Sequence, residues 1–145
     1  MIDGARWLVA GGVLSALASL LHLGCIIGGP AWYRFFGAGE PMARAAERGE
    51  SWPALITLLI AGVLAVWSAF AFSGAGLLPR LPLLRIALAA ITCTYLLRGL
   101  AIVPMAMLRP EMVSPFWLWS SAIVLTYGVV HAIGLWLAWG ALSKI

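Results

Sequence analysis

The sequence predicts an all-α fold: an integral membrane bundle of four transmembrane helices, with a surface-lying connection between helices 1 and 2. The first observation behind this class is the composition. Of the 145 residues, 63% are hydrophobic and 10% are charged, and the mean hydropathy is +1.03. A soluble domain carries about 45–50% apolar and about 25% charged residues, so one small aqueous core could not hold these side chains. The composition excludes a soluble enzyme, a nucleic-acid-binding module and a disordered chain.

The second observation is that four apolar stretches are each long enough to cross a bilayer. About 30 Å of hydrocarbon requires roughly 20 helical residues. Because backbone N–H and C=O groups cannot stay unpaired in lipid, each stretch is predicted to be a helix. All four belong to one predicted transmembrane domain, residues 1–145. The predicted spans are residues 7–27, 53–72, 83–103 and 116–142.

The third observation is that residues typical of helix ends separate these stretches. Serine is a common N-cap, proline suits the first turn of a helix, and glycine-rich segments end helices. Arg6 and the run after it also resemble a signal peptide, but the run continues past Ala18 and favours a first span. The predicted starts are Ser51 with Pro53, Pro82, and Ser114 with Pro115; the predicted ends are Gly28-Gly29-Pro30, residues 73–76 and Pro104.

The first connection, residues 28–50, is the longest and has two parts. Its first half carries four aromatic rings that suit the headgroup region. Its second half is predicted to form a short helix at the membrane surface, with Pro41 in the first turn. The aromatic residues are Trp32, Tyr33, Phe35 and Phe36, and the short helix covers residues 40–48.

The net charge of +4 does not indicate a nucleic-acid partner, because the nine Lys and Arg residues are scattered rather than grouped. Four spans put both termini on one side, and the basic residues other than Arg98 divide four against four between the two sides. Because glutamates accompany the arginines of the other side, we expect both termini in the cytoplasm. The side of the termini carries Arg6, Arg80, Arg85 and Lys144; the other side carries Arg34, Arg44, Arg48 and Arg109.

Small residues recur at four-residue spacing on two of the spans. Helices associate in lipid through close contact of such residues, so both faces favour tight helix pairing. The alternative is that alanine and glycine are simply frequent in this chain. The positions are Gly11, Ser15 and Ser19 on the first span and Thr57, Ala61, Ala65 and Ala69 on the second.

Ionisable side chains within spans are the default functional candidates. His22 and Arg98 each lie five residues before the end of a predicted span, about 8 Å below the same surface. With the first connection above them, they form a candidate pocket for a small anionic or lipid-like ligand; the alternative is a structural hydrogen-bond cluster. Arg85, near the start of its span, is predicted to be a surface anchor. The candidate ligand-binding residues are His22, Tyr33, Arg34, Glu40, Tyr95, Arg98, Ser120, Tyr127 and His131.

His131 is predicted to lie about 18–22 Å from that surface, on a helix face shared with Ser120 and Tyr127. Two imidazoles that ligate one haem need nearly the same level, so this depth argues against haem held by His22 and His131 of one chain. Haem and quinone stay open as cofactors, because a symmetric dimer could pair equivalent histidines. Depth also separates Cys25 from Cys93, which argues against an intrachain disulfide.

Patterns of catalysis and metal binding are missing from the sequence. No Asp or Glu falls within a predicted span, which disfavours a proton-coupled exporter of cationic drugs. No Ser-His-Asp order, glycine-rich phosphate loop or metal-spaced His/Cys cluster occurs, so we expect no catalytic residue and no metal ligand. The strong charges within the predicted spans are positive, which suits an anionic ligand.

Residues 29–40, with the sequence GPAWYRFFGAGE, resemble a stretch of small uncharacterised four-span bacterial inner-membrane proteins. The resemblance covers most of the chain and implies an inner-membrane location, but it brings no activity and no functional residue. In size and layout alone, the chain is also similar to DoxX-like proteins, without a shared motif.

Three functions remain open at this point. The sequence favours a non-enzymatic role in the lipid bilayer, as a homo-oligomer or an accessory subunit of a larger membrane complex. Binding or transport of a small anionic or lipid-like ligand at His22 and Arg98 is the first alternative. A redox role with haem or quinone, centred on His131 or His22, is the second.

Overall fold

The structure, a computed structural model, describes residues 2–143, and every regular element in this range is a helix. Lys144, one of the basic residues assigned to the side of the termini, lies outside the described residues. The elements are α1 (Ile2–Phe35), α2 (Glu40–Glu47), α3 (Trp52–Gly74), α4 (Leu84–Leu100), α5 (Ile102–Leu108), a 3₁₀ turn (Pro110–Met112) and α6 (Pro115–Leu142).

Within the described range, four helical stretches are long and apolar enough to cross a membrane. They are α1, α3, α4 continued by α5, and α6, and the third of these covers Leu84–Leu108. The predicted all-α class and the predicted number of long apolar helices are therefore confirmed.

The described residues form two compact units. The first unit contains residues 2–15 and 67–143, and the second contains residues 16–66. Helices α1 and α3 contribute residues to both units, whereas α4, α5 and α6 belong to the first and α2 to the second. A single transmembrane domain stays a prediction.

The first helix is interrupted at Gly29, within the predicted end Gly28-Gly29-Pro30, and a second helical segment then continues to Phe35. Gly29 has φ 62° and ψ −146°, a conformation that glycine adopts without the strain a Cβ would cause. Pro30 then begins the next helical turns, where its missing N–H removes no hydrogen bond. The ring of Trp32 packs back against Gly28, where a Cβ would overlap it. The aromatic part of the first connection is thus helical.

The prediction that Pro104 ends the third span is wrong. Helix α4 ends at Leu100, and α5 begins at Ile102 and runs through Pro104. Proline is tolerated there because it stands in the first turn of the new helix, where its N–H would have no partner. The apolar stretch therefore reaches Leu108, so Arg98 lies ten residues before its end rather than five before residue 103.

Other helix ends agree with the sequence patterns. Helix α2 carries Pro41 in its first turn, and α3 carries Pro53 in its first turn. Ser114 is the N-cap of α6, and its hydroxyl accepts a hydrogen bond from the backbone N–H of Trp117 at 3.3 Å. The first N–H groups of a helix have no acceptor within the helix, which favours a serine cap and a proline in the first turn.

In the first unit, α6 and the start of α1 pack at distances that only glycine permits. A Cβ at Gly4 would lie 2.8 Å from the backbone nitrogen of Ala138, and a Cβ at Gly134 would lie 3.0 Å from that of Leu8. Residue numbers rise along α1 as they fall along α6, so the two segments are antiparallel. Each helix supplies one glycine to the contact.

Helices α4 and α6 make a second reciprocal glycine contact. A Cβ at Gly99 would lie 2.7 Å from backbone atoms of Leu125, and a Cβ at Gly128 would lie 2.9 Å from the backbone nitrogen of Leu96. The obstacles are backbone atoms, which cannot rotate away as a side chain can. The two helices are therefore in backbone contact, as small residues permit in membrane proteins.

An apolar core fills the rest of the first unit, and one hydrogen bond joins α3 to α1. The Ser68 hydroxyl donates to the backbone carbonyl of Gly12 at 2.8 Å. The buried core residues are Leu8, Ala71, Leu84, Leu88, Leu135, Ala138 and Leu142.

The second unit has a smaller core, formed by Cys25, Tyr33 and Ala43. The Ser19 hydroxyl donates to the backbone carbonyl of Ala61 at 2.7 Å and so joins α1 to α3. Ser19 and Ala61 belong to the two small-residue faces identified in the sequence, and their contact lies within the chain.

We expect Gly99→Ala to destabilise the protein, because the added methyl group would overlap the backbone of α6. Overpacking of this kind typically costs about 1–3 kcal/mol. Thermal unfolding in a mild detergent, followed by tryptophan fluorescence, measures the change. Gly140→Ala is the matched control, because a Cβ at Gly140 has no atom within 4 Å and alanine favours the helix. Equal melting temperatures for the two variants would contradict the backbone contact.

Candidate functional site

Five side chains of the first unit form a polar and aromatic group among the helices, here called the inner cluster. Helices α1, α3 and α4 supply one member each, and α6 supplies two. Three members are buried and the other two, Trp67 and Tyr127, are half-buried. The inner cluster consists of Ser15, Trp67, Tyr95, Tyr127 and His131.

Tyr95 is the centre of the inner cluster. Its hydroxyl oxygen lies 2.9 Å from the hydroxyl oxygen of Ser15, a hydrogen bond between α4 and α1. Its ring centroid lies 4.9 Å from that of Trp67 and 5.6 Å from that of Tyr127, both in edge-on arrangements, and 5.1 Å from that of His131. Edge-on geometry places the positive edge of one ring against the negative face of the other.

His131 is fully buried and has one hydrogen bond to the protein. Its Nδ1 lies 2.8 Å from the backbone carbonyl oxygen of Tyr127. A carbonyl can only accept, so Nδ1 carries the proton, and in the neutral ring Nε2 holds a lone pair. Nε2 is enclosed and has no hydrogen-bond partner among the described residues.

The His131 ring is held in place by glycine on α1. A Cβ at Gly11 would lie 2.8 Å from the ring Cε1 and 3.0 Å from both ring nitrogens. Nδ1–H bonded to a carbonyl is the tautomer that metal-bound histidines use, with Nε2 as the ligand atom. As packed, however, Nε2 has no space beside it for haem iron or a quinone ring.

Arg98 of α4 contacts a different part of α6. Its guanidinium donates to the hydroxyl of Ser121 at 3.3 Å, and its central carbon lies 4.9 Å from the centroid of the Trp117 ring. The neighbouring Ser120 donates to the backbone carbonyl of Trp117 at 3.2 Å, within its own helix. Arg98 thus meets a hydroxyl and an aromatic face, both of which a cation favours.

In the second unit, His22 and Tyr33 have separate partners. The Nδ1 of His22 donates to the backbone carbonyl of Ala18 at 2.7 Å, the same bond within a helix that His131 makes. Tyr33 is buried, and its hydroxyl oxygen lies 3.4 Å from that of Thr57. The Thr57 hydroxyl also lies 2.8 Å from the carbonyl of Pro53, to which it donates.

Four exposed charges tie the end of α1 to α2. Arg34 donates to both carboxylate oxygens of Glu40, at 2.9 and 3.0 Å, and to Glu47 at 2.7 Å. Arg44 donates to Glu40 at 3.0 Å. The hydrogen bonds from Arg34, followed by those from Arg44, lower the pKa of Glu40 to about 2. Arg34 and Glu40, two candidate ligand-binding residues, are therefore occupied with each other.

The nine candidate ligand-binding residues are divided between the two units. Tyr95, Tyr127 and His131 come together in the inner cluster, whereas Arg98 and Ser120 make their hydrogen bonds elsewhere on α6. The second unit contains His22, Tyr33, Arg34 and Glu40. A pocket that combines His22 with Arg98 stays a prediction.

Sequence reasoning missed Trp67, which packs against Tyr95, and the contact of Gly11 with His131. Trp67 completes the inner cluster, and its place on α3 carries no polar signal that distinguishes it from other tryptophans. The sequence places Gly11 on a small-residue face, but the pattern of a single helix does not predict which side chain of another helix lies opposite it. Among the described residues, no three His, Cys, Asp or Glu side chains gather as metal ligands would.

Comparison of the chain with protein-family models, with curated proteins and with solved structures found no match.

We expect His131→Leu to keep the melting temperature close to that of the wild type. Leucine is similar in volume and removes the enclosed nitrogen, whereas His131→Ala leaves a cavity, which for a side chain of this size costs about 2–5 kcal/mol. Thermal unfolding in detergent compares the two variants. If leucine destabilises the protein as much as alanine, a polar contact of the ring matters, and a purely packing role for the ring is wrong.

We expect a carbon NMR titration of the protein in micelles to give Glu40 a pKa of about 2, against an ordinary 4.5. Because folding depresses this pKa, the ion pairs stabilise α2 fully above pH 4.5 and lose that effect as the pH falls towards 2. Arg34→Gln should raise the pKa of Glu40 more than Arg44→Gln does.

The matched control for that titration is Arg48→Gln. Arg48 pairs with Glu50 at 2.6 Å rather than with Glu40, so its loss should leave the pKa of Glu40 unchanged. An ordinary pKa for Glu40 in the wild type would show that the ion pairs do not form.

Proposed function

We propose that this chain is a non-enzymatic, multi-pass membrane protein that works as a subunit of a membrane assembly, with copies of itself or within a larger complex. The first support is the use of polar groups inside the apolar helices. His131, Ser15 and Tyr95 bond and pack within the chain, and their arrangement leaves no space at the one enclosed nitrogen. This arrangement suits a structural role better than catalysis.

The observation that carries the proposal is Gly62, in the middle of α3. Glycine inside a helix costs about 1 kcal/mol relative to alanine, so its presence needs a compensating contact. Gly4, Gly99 and Gly128 each have such a contact within the chain. A Cβ at Gly62 or Gly140 has no atom within 4 Å, and of these two only Gly62 lies in the interior of its helix. A helix from another chain would supply the missing contact.

The surroundings of Gly62 suit such a helix. Leu59 and Val66, one turn away on either side, are 68% and 53% exposed, and Ala65 is also exposed. Small residues between larger apolar ones form a notch into which a neighbouring helix can pack closely. We therefore place the assembly contact on α3.

Two alternatives receive less support. Binding of an anionic or lipid-like ligand between His22 and Arg98 rests on their predicted depth alone. A haem or quinone at His131 needs space beside Nε2 that the packing does not provide. The proposal keeps the predicted location, in the bacterial inner membrane with both termini in the cytoplasm, and the suspected kinship with small four-span inner-membrane proteins.

We expect Gly62→Leu to disrupt the assembly while the chain stays folded. Native mass spectrometry in a mild detergent, together with chemical crosslinking in membranes, measures the assembled fraction. The wild type should appear as a defined multiple of the chain mass, or with a second protein. The leucine side chain fills the notch, so the assembled fraction should fall severalfold without a drop in melting temperature.

Gly140→Leu is the matched control for this experiment. Gly140 is exposed, lies near the end of α6, and has no atom within 4 Å of a Cβ. Its substitution should leave the assembly intact. A wild type that is monomeric in both detergent and membranes would overturn the proposed function, and equal disruption by both variants would show that α3 is not the contact.

A further inference from the structure

A groove of about 760 Å³ lies in the first unit, between the start of α4 with its preceding turn and the end of α6. Two arginines, Arg80 and Arg85, line it together with Trp139 and Ser143. Leu83 and Ile86 also line it. The groove is separate from the inner cluster, and it combines charge with apolar surface.

Both arginines are held by the end of α6. Arg80 donates to the backbone carbonyl of Leu142, one of the last carbonyls of the helix. Arg85 donates to the hydroxyl of Ser143 at 2.7 Å, and its guanidinium carbon lies 3.6 Å from the centroid of the Trp139 ring. The two guanidinium groups are therefore positioned before any ligand binds.

The positive charge of these arginines is not neutralised by the described residues. No described carboxylate lies within 4.0 Å of Arg80 or Arg85, and their partners are a carbonyl, a hydroxyl and an aromatic ring. The described hydrogen bonds use one N–H of each guanidinium, and each guanidinium has five. Several donors in the groove remain free to bind an anion.

The apolar side of the groove extends along α4. Leu83 and Ile86 are 73% and 67% exposed, and Ala89 continues the lining by almost one further turn. A free phosphate ion would use the arginines and leave this surface without a partner. A molecule with an anionic head and a hydrocarbon tail would cover both parts.

We propose that this groove binds one anionic phospholipid, with the phosphate at Arg80 and Arg85 and an acyl chain along Leu83 and Ile86. The groove lies at the end of two apolar helices, where a bilayer would place its headgroups. Basic pockets between membrane helices recognise anionic headgroups in this way, since arginine binds phosphate through paired N–H donors. The site is independent of the assembly contact on α3.

Native mass spectrometry in a neutral detergent, with added phosphatidylglycerol or phosphatidylcholine, tests the site. We expect the wild type to retain one phosphatidylglycerol in preference to phosphatidylcholine. The double variant Arg80→Gln/Arg85→Gln removes two charges and should weaken the retention by about 30-fold. Equal retention of the two lipids by the wild type would overturn the proposal.

Arg6→Gln is the control for general charge attraction, because Arg6 is predicted on the same side of the membrane and does not line the groove. This variant should retain phosphatidylglycerol as the wild type does. An equal loss with Arg6→Gln would show a diffuse charge effect. Displacement of the lipid by millimolar inorganic phosphate would show that the ligand is the free ion. Either result would overturn the proposal.

A second measurement does not depend on the arginine variants being folded. Phosphatidylglycerol brominated on its acyl chains quenches nearby tryptophans, so it should quench the wild type more than Trp139→Phe. Brominated phosphatidylcholine should show no such difference. Equal quenching of the two proteins by the brominated phosphatidylglycerol would place the lipid away from the groove and overturn the proposal.

Discussion

Close approach of backbones is the constraint on which the first unit depends. Between helices in lipid there is little hydrophobic driving force, so packing and hydrogen bonds must hold them together. The glycines at positions 99 and 128 bring α4 and α6 into backbone contact, and Gly11 leaves room for the His131 ring beside α1. Between these helices, the hydroxyl of Tyr95 on α4 lies 2.9 Å from that of Ser15 on α1. The inner cluster is thus a consequence of the glycine contacts, because a side chain at any of these positions would separate the helices that supply its members.

These apolar helices tolerate polar residues because many polar side chains form hydrogen bonds with the backbone of their own helix. The side chains of Thr92, Thr94, Thr126, His22 and His131 each bond to the carbonyl four residues earlier. Such a bond satisfies the donor without a partner on another helix, so a polar residue in a span does not by itself indicate a ligand. The bonds that join different helices are fewer and more informative. Those from Ser15, Ser19 and Ser68 each start at a small hydroxyl, which can reach across only where two helices are already close.

The sequence predicts the helices better than their contacts, for physical reasons. Hydropathy and length predict the four long apolar helices, because a bilayer would impose both. Ser114 and Pro41 mark helix starts because the first N–H groups of a helix have no partner within it. Gly29 interrupts the first helix as predicted, but a new helical segment follows it, and Pro104 lies in the first turn of a new helix, so neither residue ends its apolar stretch. The sequence predicts how deep a residue lies along its span, and similar depth alone groups His22 with Arg98. Which faces of the helices meet depends on packing between distant segments, and for that reason the role of Gly11 beside His131 could not be predicted.

Five arginines of the chain belong to two physical classes, and the difference bears on what surrounds the protein. Arg34, Arg44 and Arg48 pair with glutamates, so their charge is largely balanced within a few residues. Arg80 and Arg85 are held by neutral groups and a ring, which fix their position but leave the charge in place. An arginine that pairs with a glutamate orders its own segment. An arginine that is held in position while its charge stays unneutralised favours binding of an anion from outside the chain. The proposed groove at the end of α6 contains both of these arginines. A lipid phosphate there would balance the charge that the helices hold in position.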